Sequence, residues 1–524
     1  VRGCRQCEEY EGVNVKQHGN IDIGLPAGIE RYLFALVLFL AILWLIINAF
    51  STGQYELVAA AVALPFSAIL VGKLRWLVVV TLGLFLSRLY VPALPRSMEL
   101  YHAFALFVLP LLGAAYCVRP PEITAPLYLK VLAVAFLGII GITIYARGFG
   151  MAFTGGTSWG GAAYVYMTLA IMLLLFSDAV VLTQNHWKWL FILLFGGACI
   201  VALASLVYFV SKGKITAPYS FIHVGESWMQ RNLNTLLSES EHVFRIKSAK
   251  KMFYLLVLSL ILVEYKGSRK LAILACALVA VGGIGISGHR GAVISFVVFL
   301  LCYVTFQNRR FPVRPLSFIL FGSAVLMTVF ANWGSHFPLA VQRAFSWLPF
   351  ADISYLAEKS AAGTLRRFDL WRELITDYVP RYWLIGRGFA FSTRDLFSVS
   401  AAHSAIESFK VTNNYHNGLL VLLVNLGIGG MFFGYALLVG GALRHYRLLK
   451  TEWVNNALSR YHKVMLALFI TSIITQTAVG CGDWITRPLI FLVILEGLYR
   501  TNRWELSRNG TVNNAESSVK GADA

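Results

Sequence analysis

From Lys270 to Phe306 the chain reads KLAILACALVAVGGIGISGHRGAVISFVVFLLCYVTF. Two apolar runs, 270–287 and 291–306, meet across the short polar element Ser287-Gly288-His289-Arg290-Gly291-Ala292. A helix needs about 20 mostly apolar residues to cross the hydrocarbon core of a bilayer, and each run approaches that length. Paired runs joined by so short a turn read as two membrane spans that leave and re-enter on the same side. An arginine held between them is expensive unless it faces the bundle interior or a wet cavity.

Runs of the same kind recur outward from this pair, near 31–50, 55–72, 75–92, 99–117, 126–146, 162–183, 188–210, 251–265, 316–332, 416–443, 463–480 and 487–500. With the first two they make fourteen, or twelve to thirteen if the short runs near 251 and 487 do not span. Composition agrees: the 524 residues are 57% hydrophobic and 14% charged, with a mean hydropathy of +0.66. The expected fold is therefore an all-α polytopic membrane protein of about 12–14 transmembrane helices. A net charge of +19 in so apolar a chain points to cationic loops on a membrane surface, and nucleic acid is not an expected partner. Of seven cysteines, Cys117, Cys199, Cys276 and Cys302 fall in apolar runs and read as small core side chains, while Cys4 and Cys7 form a single C-x-x-C with no second pair.

Positive charge orients the bundle. With the N-terminus inside, fifteen Lys and Arg residues fall in the short inner connections, among them Lys73, Arg75, Arg119, Arg309, Arg310, Arg444 and Arg447. The short outer connections hold Arg96, Arg147, Arg290 and Arg487, so both termini are expected in the cytoplasm. Residues 1–28 form a polar cytoplasmic segment that does not read as a cleavable signal. The transmembrane bundle occupies 29–332 with an outer loop at 211–250, a large periplasmic loop with short amphipathic helices occupies 333–415, further spans occupy 416–500, and 501–524 reads as a disordered cytoplasmic tail. Asp178 and Glu264, near inner helix ends, read as solvated.

Chemistry is expected on the outer side, where a long loop is too large to be a passive connector. Helical spacing runs through residues 363–378, with Arg367, Trp371, Leu374 and Tyr378 on one face and Pro380 as a stop. Arg367 sits among apolar positions and must be paired with an anion or point into water. After it come the glycine-flanked turn Gly386-Arg387-Gly388 and the segment Asn413-Asn414-Tyr415-His416-Asn417-Gly418, which opens a span and places His416 at the water boundary. Asn414, Asn417 and an exposed helix N-terminus would converge with that imidazole. Arg147, Arg290, Arg367 and Arg487 would face one cavity, a set of planar forks suited to phosphate or pyrophosphate. The sequence has no H-E-x-x-H, paired C-x-x-C, G-x-x-x-x-G-K-[ST] or outer D-x-D, so no metal or other cofactor is expected.

Taken in order, Ser287-Gly288-His289-Arg290-Gly291-Ala292, Arg367-Phe368-x-x-Trp371, Gly386-Arg387-Gly388, Tyr415-His416-Asn417-Gly418-Leu419 and Asn425-Leu426-Gly427-Ile428-Gly429-Gly430 resemble the O-antigen ligase and polymerase family over residues 280–445. The resemblance implies a membrane glycosyltransferase of the bacterial inner membrane that takes a glycan from undecaprenyl pyrophosphate on the periplasmic face. The acceptor would be lipid A-core for a ligase or a growing lipid-linked glycan for a polymerase. By the same resemblance His416 matches the catalytic histidine, and Arg290 and Arg367 match arginines that hold the pyrophosphate. Arg147 and Arg487 would add to that grip, with Asn414, Asn417, Trp371 and Arg387 in support. His289 departs from the serine usual before the arginine. A flippase or transporter of anionic lipid-linked glycans is the reading from another class, and it predicts spans broken in mid-membrane.

Overall fold

Apart from scattered single positions, the computed structural model describes residues 74–89, 99–118, 123–150, 158–210, 247–262, 268–307, 324–346, 351–355, 363–392, 410–450 and 453–522. The spans expected at 31–50 and 55–72, the segment 1–28, most of the outer loop 211–250, Glu264 and Asn414 lie outside the described residues.

Helices dominate the unit that begins at Leu74. In chain order they are α1 (Leu74–Leu84), α2 (Leu100–Val118), α3 (Leu127–Arg147), α4 (Ala162–Phe176), α5 (Gln184–Phe191) and α6 (Gly197–Val210), the last two joined by a π-helical turn. There follow α7 (Phe253–Leu262), α8 (Ser268–Ser287) and α9 (Arg290–Gln307). The long loop carries α10 (Leu339–Phe345), α11 (Gly363–Glu373) and α12 (Val379–Tyr382), and α13 (Gly418–Arg447), α14 (Asn456–Val479) and α15 (Thr486–Ala522) complete the set. Two-residue strands, β1 (Ser158–Trp159) and β2 (Phe391–Ser392), pair antiparallel. Seven helical stretches among the described residues are long and apolar enough to cross a membrane: α2, α3, α4, α5 with α6, α9, α13 and α14. The chain is an all-α polytopic membrane protein, and the ends of α2, α3, α8 and α9 fall within a few residues of those read from the apolar runs, whereas α1 ends earlier, α14 begins earlier and α15 ends later than read.

Packing pairs α9 with α14, α13 with α3, α14 with α15, and α15 with α4. Leu489, Ile490, Leu492 and Ile494 of α15 and Val464, Met465 and Phe469 of α14 are fully enclosed. Helix ends divide into two groups as the chain passes back and forth. The ends of α1, α3, α8 and α14 and the starts of α9, α13 and α15 lie on one side.

The other side is closed by buried ion pairs. Asp178 is enclosed, bonded to the Arg500 guanidinium and to Lys130 Nζ at 2.9 Å, and is not the solvated side chain expected. Glu496 accepts from Arg444 Nε at 2.8 Å and lies 3.1 Å from His445 Nε2, which in turn meets His462. Low local dielectric makes such partners compulsory for a buried carboxylate. These contacts also carry α15 past residue 500, into the first residues of the segment expected to be a disordered tail. Thr501 and Asn502 are buried, Thr501 Oγ1 donates to Leu182 O at 2.7 Å and Asn502 Oδ1 accepts from Val454 N, so α15 continues past the span.

Two expectations about breaks need revision. Pro380 does not stop the helix after 378. A π turn at Leu374–Tyr378 resets the hydrogen-bond register, and Pro380 falls in the first turn of α12, where a missing N–H costs nothing. The second break was not foreseen. Within α13, Gly427 has φ 71° and ψ −172°, conformations open essentially to glycine alone.

Candidate active site

The break in α13 is where the site is built. Residues 383–388, a turn and the irregular chain that follows it, lie against it: Arg387 N donates to Val424 O (2.7 Å), Gly388 N to Asn425 O (3.0 Å) and Ile428 N to Trp383 O (2.6 Å). Carbonyls and an amide freed by the kink are thus satisfied by a loop, as low-dielectric surroundings demand. A Cβ at Gly386 would fall on the Asn425 carbonyl, and one at Gly427 on the Leu384 carbonyl. The glycines of the 386–388 and 425–430 motifs are therefore two halves of one joint.

Arg147 belongs to this joint. Its Nε donates to Gly386 O at 2.9 Å, its guanidinium stacks over the Tyr382 ring, and it is not among the residues that line the cavity described below. Of the four arginines expected to face one cavity, two line it, Arg367 and Arg487, and Arg147 and Arg290 are not among its lining residues. Thr143 Oγ1 reaches Ile385 O and Tyr164 Oη accepts from Phe389 N, clamping the turn to α3 and α4. Arg387 likewise serves the scaffold, with Nη1 donating to Lys410 O at 2.7 Å and the guanidinium over Tyr378.

From Lys410 the chain turns toward His416. Asn413 and His416 both adopt left-handed φ, 57° and 53°, a state uncommon for residues other than glycine. The surroundings hold them there. Asn413 Nδ2 donates to Phe389 O, Tyr415 Oη donates to Asn413 Oδ1 at 3.0 Å, and Trp371 Nε1 donates to Tyr415 O at 2.7 Å. Burial pushes the Tyr415 phenol up to about 12, so it remains a donor. Asn417 caps α13, its Oδ1 accepting from Leu420 N, a contact worth about 1 kcal/mol to the helix. Its role is to start the helix beside the imidazole.

On the other side of the site, the 287–292 turn closes by hydrogen bonds of Ser287 Oγ, which donates to Ile284 O and accepts from His289 N, with Gly288 at φ 60°. Arg290 starts α9, its Nε 3.4 Å from Arg343 O, and is close enough to Arg367 for the two guanidinium groups to repel. Gly283 of α8 lets a 3-10 turn, Lys247–Met252, approach closely: a Cβ there would meet Ala249 O and Met252 Cβ.

Between these elements lies a cavity of about 430 Å³, within the range of roughly 300–1,000 Å³ typical of small-molecule sites. His416, Arg367 and Arg487 line it, as do His289 and, unforeseen, Lys250 and Lys251. Among the described residues no carboxylate lines it. Arg290 is flanked by two lining residues, His289 and Gly291, and is near enough to Arg367 to feel its charge. Burial, with the Arg367 guanidinium beside it, pulls the His416 imidazole down to about 4, so the ring is neutral at physiological pH. Four cations and a neutral imidazole around a half-open cavity are suited to an anion, with a proton acceptor in the wall. Among the described residues no group of His, Cys, Asp and Glu side chains is arranged to hold a metal ion.

Lys250 and Lys251 escaped the sequence reading because they sit where an outer loop becomes a span. The available signal was a pair of lysines on the side that the charge bias leaves poor in positive charge. Thr471, Ser472, Thr475, Gln476 and Thr486 also line the cavity, from spans read only for their apolar content.

Residues 274–434 match the family model described as O-antigen ligase. The match contains the 287–292 turn, Arg367, Trp371, the 386–388 turn, His416 and the glycine break, and it bears out the resemblance read from residues 280–445. No curated protein matches the chain.

Proposed function

We propose that this protein is a glycosyltransferase of the O-antigen ligase type that moves a glycan from undecaprenyl pyrophosphate to an acceptor hydroxyl, on the periplasmic face of the bacterial inner membrane, without a metal. One observation carries the reading: His416 shares a cavity with Arg367, Arg487, Lys250 and Lys251, and among the described residues no carboxylate lines that cavity. Pyrophosphate needs concentrated positive charge in a partly desolvated place, and the arginine forks bond two oxygens at once.

In this mechanism the acceptor oxygen attacks the anomeric carbon while the bond from that carbon to the phosphate oxygen breaks on the opposite face, which inverts the centre. His416 takes the proton from the attacking hydroxyl. The electron pair leaves with the lipid pyrophosphate, whose growing charge is met by Arg367 and Arg487, with Arg290 adding to the field. Arg367 has a second effect. In the free enzyme burial of the imidazole, reinforced by this charge, keeps the ring neutral and ready to accept a proton, and the bound pyrophosphate then offsets the repulsion from Arg367 and strengthens the base.

The broken span, which a transporter would also show, supports the enzyme reading, because the freed groups are occupied by main chain of 383–388 rather than left to coordinate cargo. The test is transfer by purified protein from an undecaprenyl-pyrophosphate glycan, with lipid A-core and a second lipid-linked glycan offered as competing acceptors. Transfer to lipid A-core supports the ligase reading, and chain extension replaces it with a polymerase. A His416→Ala protein that retains near-normal transfer removes the base.

A further inference from the structure

Hydroxyl groups in membrane helices ordinarily turn back to the carbonyl one turn earlier, because nothing else in the bilayer will bond them. The helices here follow that habit: Thr143, Ser205, Ser295, Thr475 and Thr477 each donate to the residue four positions before. Thr471 and Ser472, one turn ahead of Thr475 on the same face of α14, do not. Nor does Thr486, at the start of α15. The three residues are 4%, 5% and 2% exposed, each hydroxyl oxygen lacks a hydrogen-bond partner among the described residues, and all three line the cavity that holds His416 and the cations.

Their position within the cavity narrows what they would bind. Hydroxyls both donate and accept, so they match a ligand that does the same, whereas phosphate oxygens only accept and are already answered by guanidinium and ammonium groups. Thr486 and Arg487 are consecutive at the start of α15, so the group facing the hydroxyl lies directly beside the group facing the guanidinium. Resting on the glycosyl-transfer reading above, we propose that Thr471, Ser472 and Thr486 form the subsite for the sugar ring attached directly to the donor pyrophosphate. They bond its hydroxyl or amide substituents and so select the first sugar of the donor, while the cations hold the part common to every donor.

The test compares binding of three probes to purified full-length protein in detergent: bare undecaprenyl pyrophosphate, the same lipid carrying a single hexose or N-acetylhexosamine, and lipid A-core alone. The variants are Thr471→Val, Ser472→Ala and Thr486→Val, singly and combined, with Thr471→Ser and Ser472→Thr as forms that keep the hydroxyl. The combined variant is expected to weaken the sugar-bearing lipids about tenfold or more and to hold the bare lipid within about twofold, and the hydroxyl-keeping forms to bind as wild type. Arg367→Lys should weaken the bare and sugar-bearing lipids alike. Equal loss of both lipids in the combined variant would assign the hydroxyls to phosphate, loss confined to lipid A-core would assign them to the acceptor, and unchanged binding throughout would leave them as packing; each overturns the subsite. Failure of the wild type to bind either lipid overturns the parent reading instead, a result that the variants cannot mimic.

Discussion

The indole Nε1 of Trp371 donates to the main-chain oxygen of Tyr415, 2.7 Å away, and ties the helix of the long loop to the residue that immediately precedes His416. His416 sits at φ 53° directly after that bond, so its ring direction depends on a backbone that would relax without support. The same helix carries Arg367, one turn before Trp371. A single indole therefore sets the distance between a proton acceptor and a charge on the leaving group.

Trp371→Phe keeps most of the ring volume and removes the donor. A lost hydrogen bond of this kind costs about 1 kcal/mol in stability, whereas a small misplacement of a reacting group costs up to about a hundredfold in rate. The expected outcome is a kcat lowered about ten- to a hundredfold, with a thermal transition close to wild type and donor KM little changed. A kcat equal to wild type would show that His416 is held without this contact.

The pH dependence follows from the neighbours of His416. Its neutral form is the base, and burial beside Arg367 holds the ring at about 4 in the free protein. The profile of kcat/KM, which reports the free enzyme, should stay level from neutral pH down to about 5 and fall below that. Bound pyrophosphate favours the imidazolium, so the acid limb of kcat should lie at higher pH than that of kcat/KM. Arg367→Gln removes the repelling charge and should move the kcat/KM limb upward. Initial rates across pH at saturating and limiting donor check this, and one shared limb near 6.5 would contradict it.

Much of this architecture was legible because its cause is local. Lipid demands long apolar helices, so the bounds of α2, α3, α8 and α9 could be read from composition alone. His416 and Arg367 were legible as polar groups at odds with their surroundings. Arg147 was misplaced for a reason of the same kind: an arginine at an outer helix end satisfies the expectation equally well by bonding Gly386 O, and only the fold decides which. Thr471, Ser472 and Thr486 were invisible, since a hydroxyl in a span is harmless when bonded back to its own helix, and sequence does not reveal that these three are not. The kink at Gly427 depends on residues some forty positions earlier, a pairing that no local pattern records.

That joint gives a stability prediction. Gly427→Ala places a side chain in a glycine-only backbone region, at a cost of order 1–3 kcal/mol, and drives its Cβ into the Leu384 carbonyl. Gly113→Ala, in α2 with nothing near the added methyl, should be neutral or gain up to about 1 kcal/mol from helix propensity. Thermal unfolding in detergent should therefore separate the two, with Gly427→Ala folding poorly. Equal transitions would mean that the main-chain contacts between 383–388 and α13 contribute little.

Arg147 and Arg367 can be told apart by the same conservative change. Lysine keeps the charge and loses the fork. At Arg147 the loss falls on the Gly386 carbonyl and the Tyr382 ring, a contact within the scaffold, so Arg147→Lys should lower the thermal transition while the surviving folded protein keeps a near-normal donor KM. Arg367 lines the cavity, so Arg367→Lys should raise donor KM and lower kcat together, about tenfold or more in kcat/KM. Unfolding curves and transfer kinetics on both proteins decide the matter. Should Arg147→Lys raise donor KM as strongly as Arg367→Lys without loss of stability, Arg147 would rejoin the donor site and the scaffold role given to it here would fail.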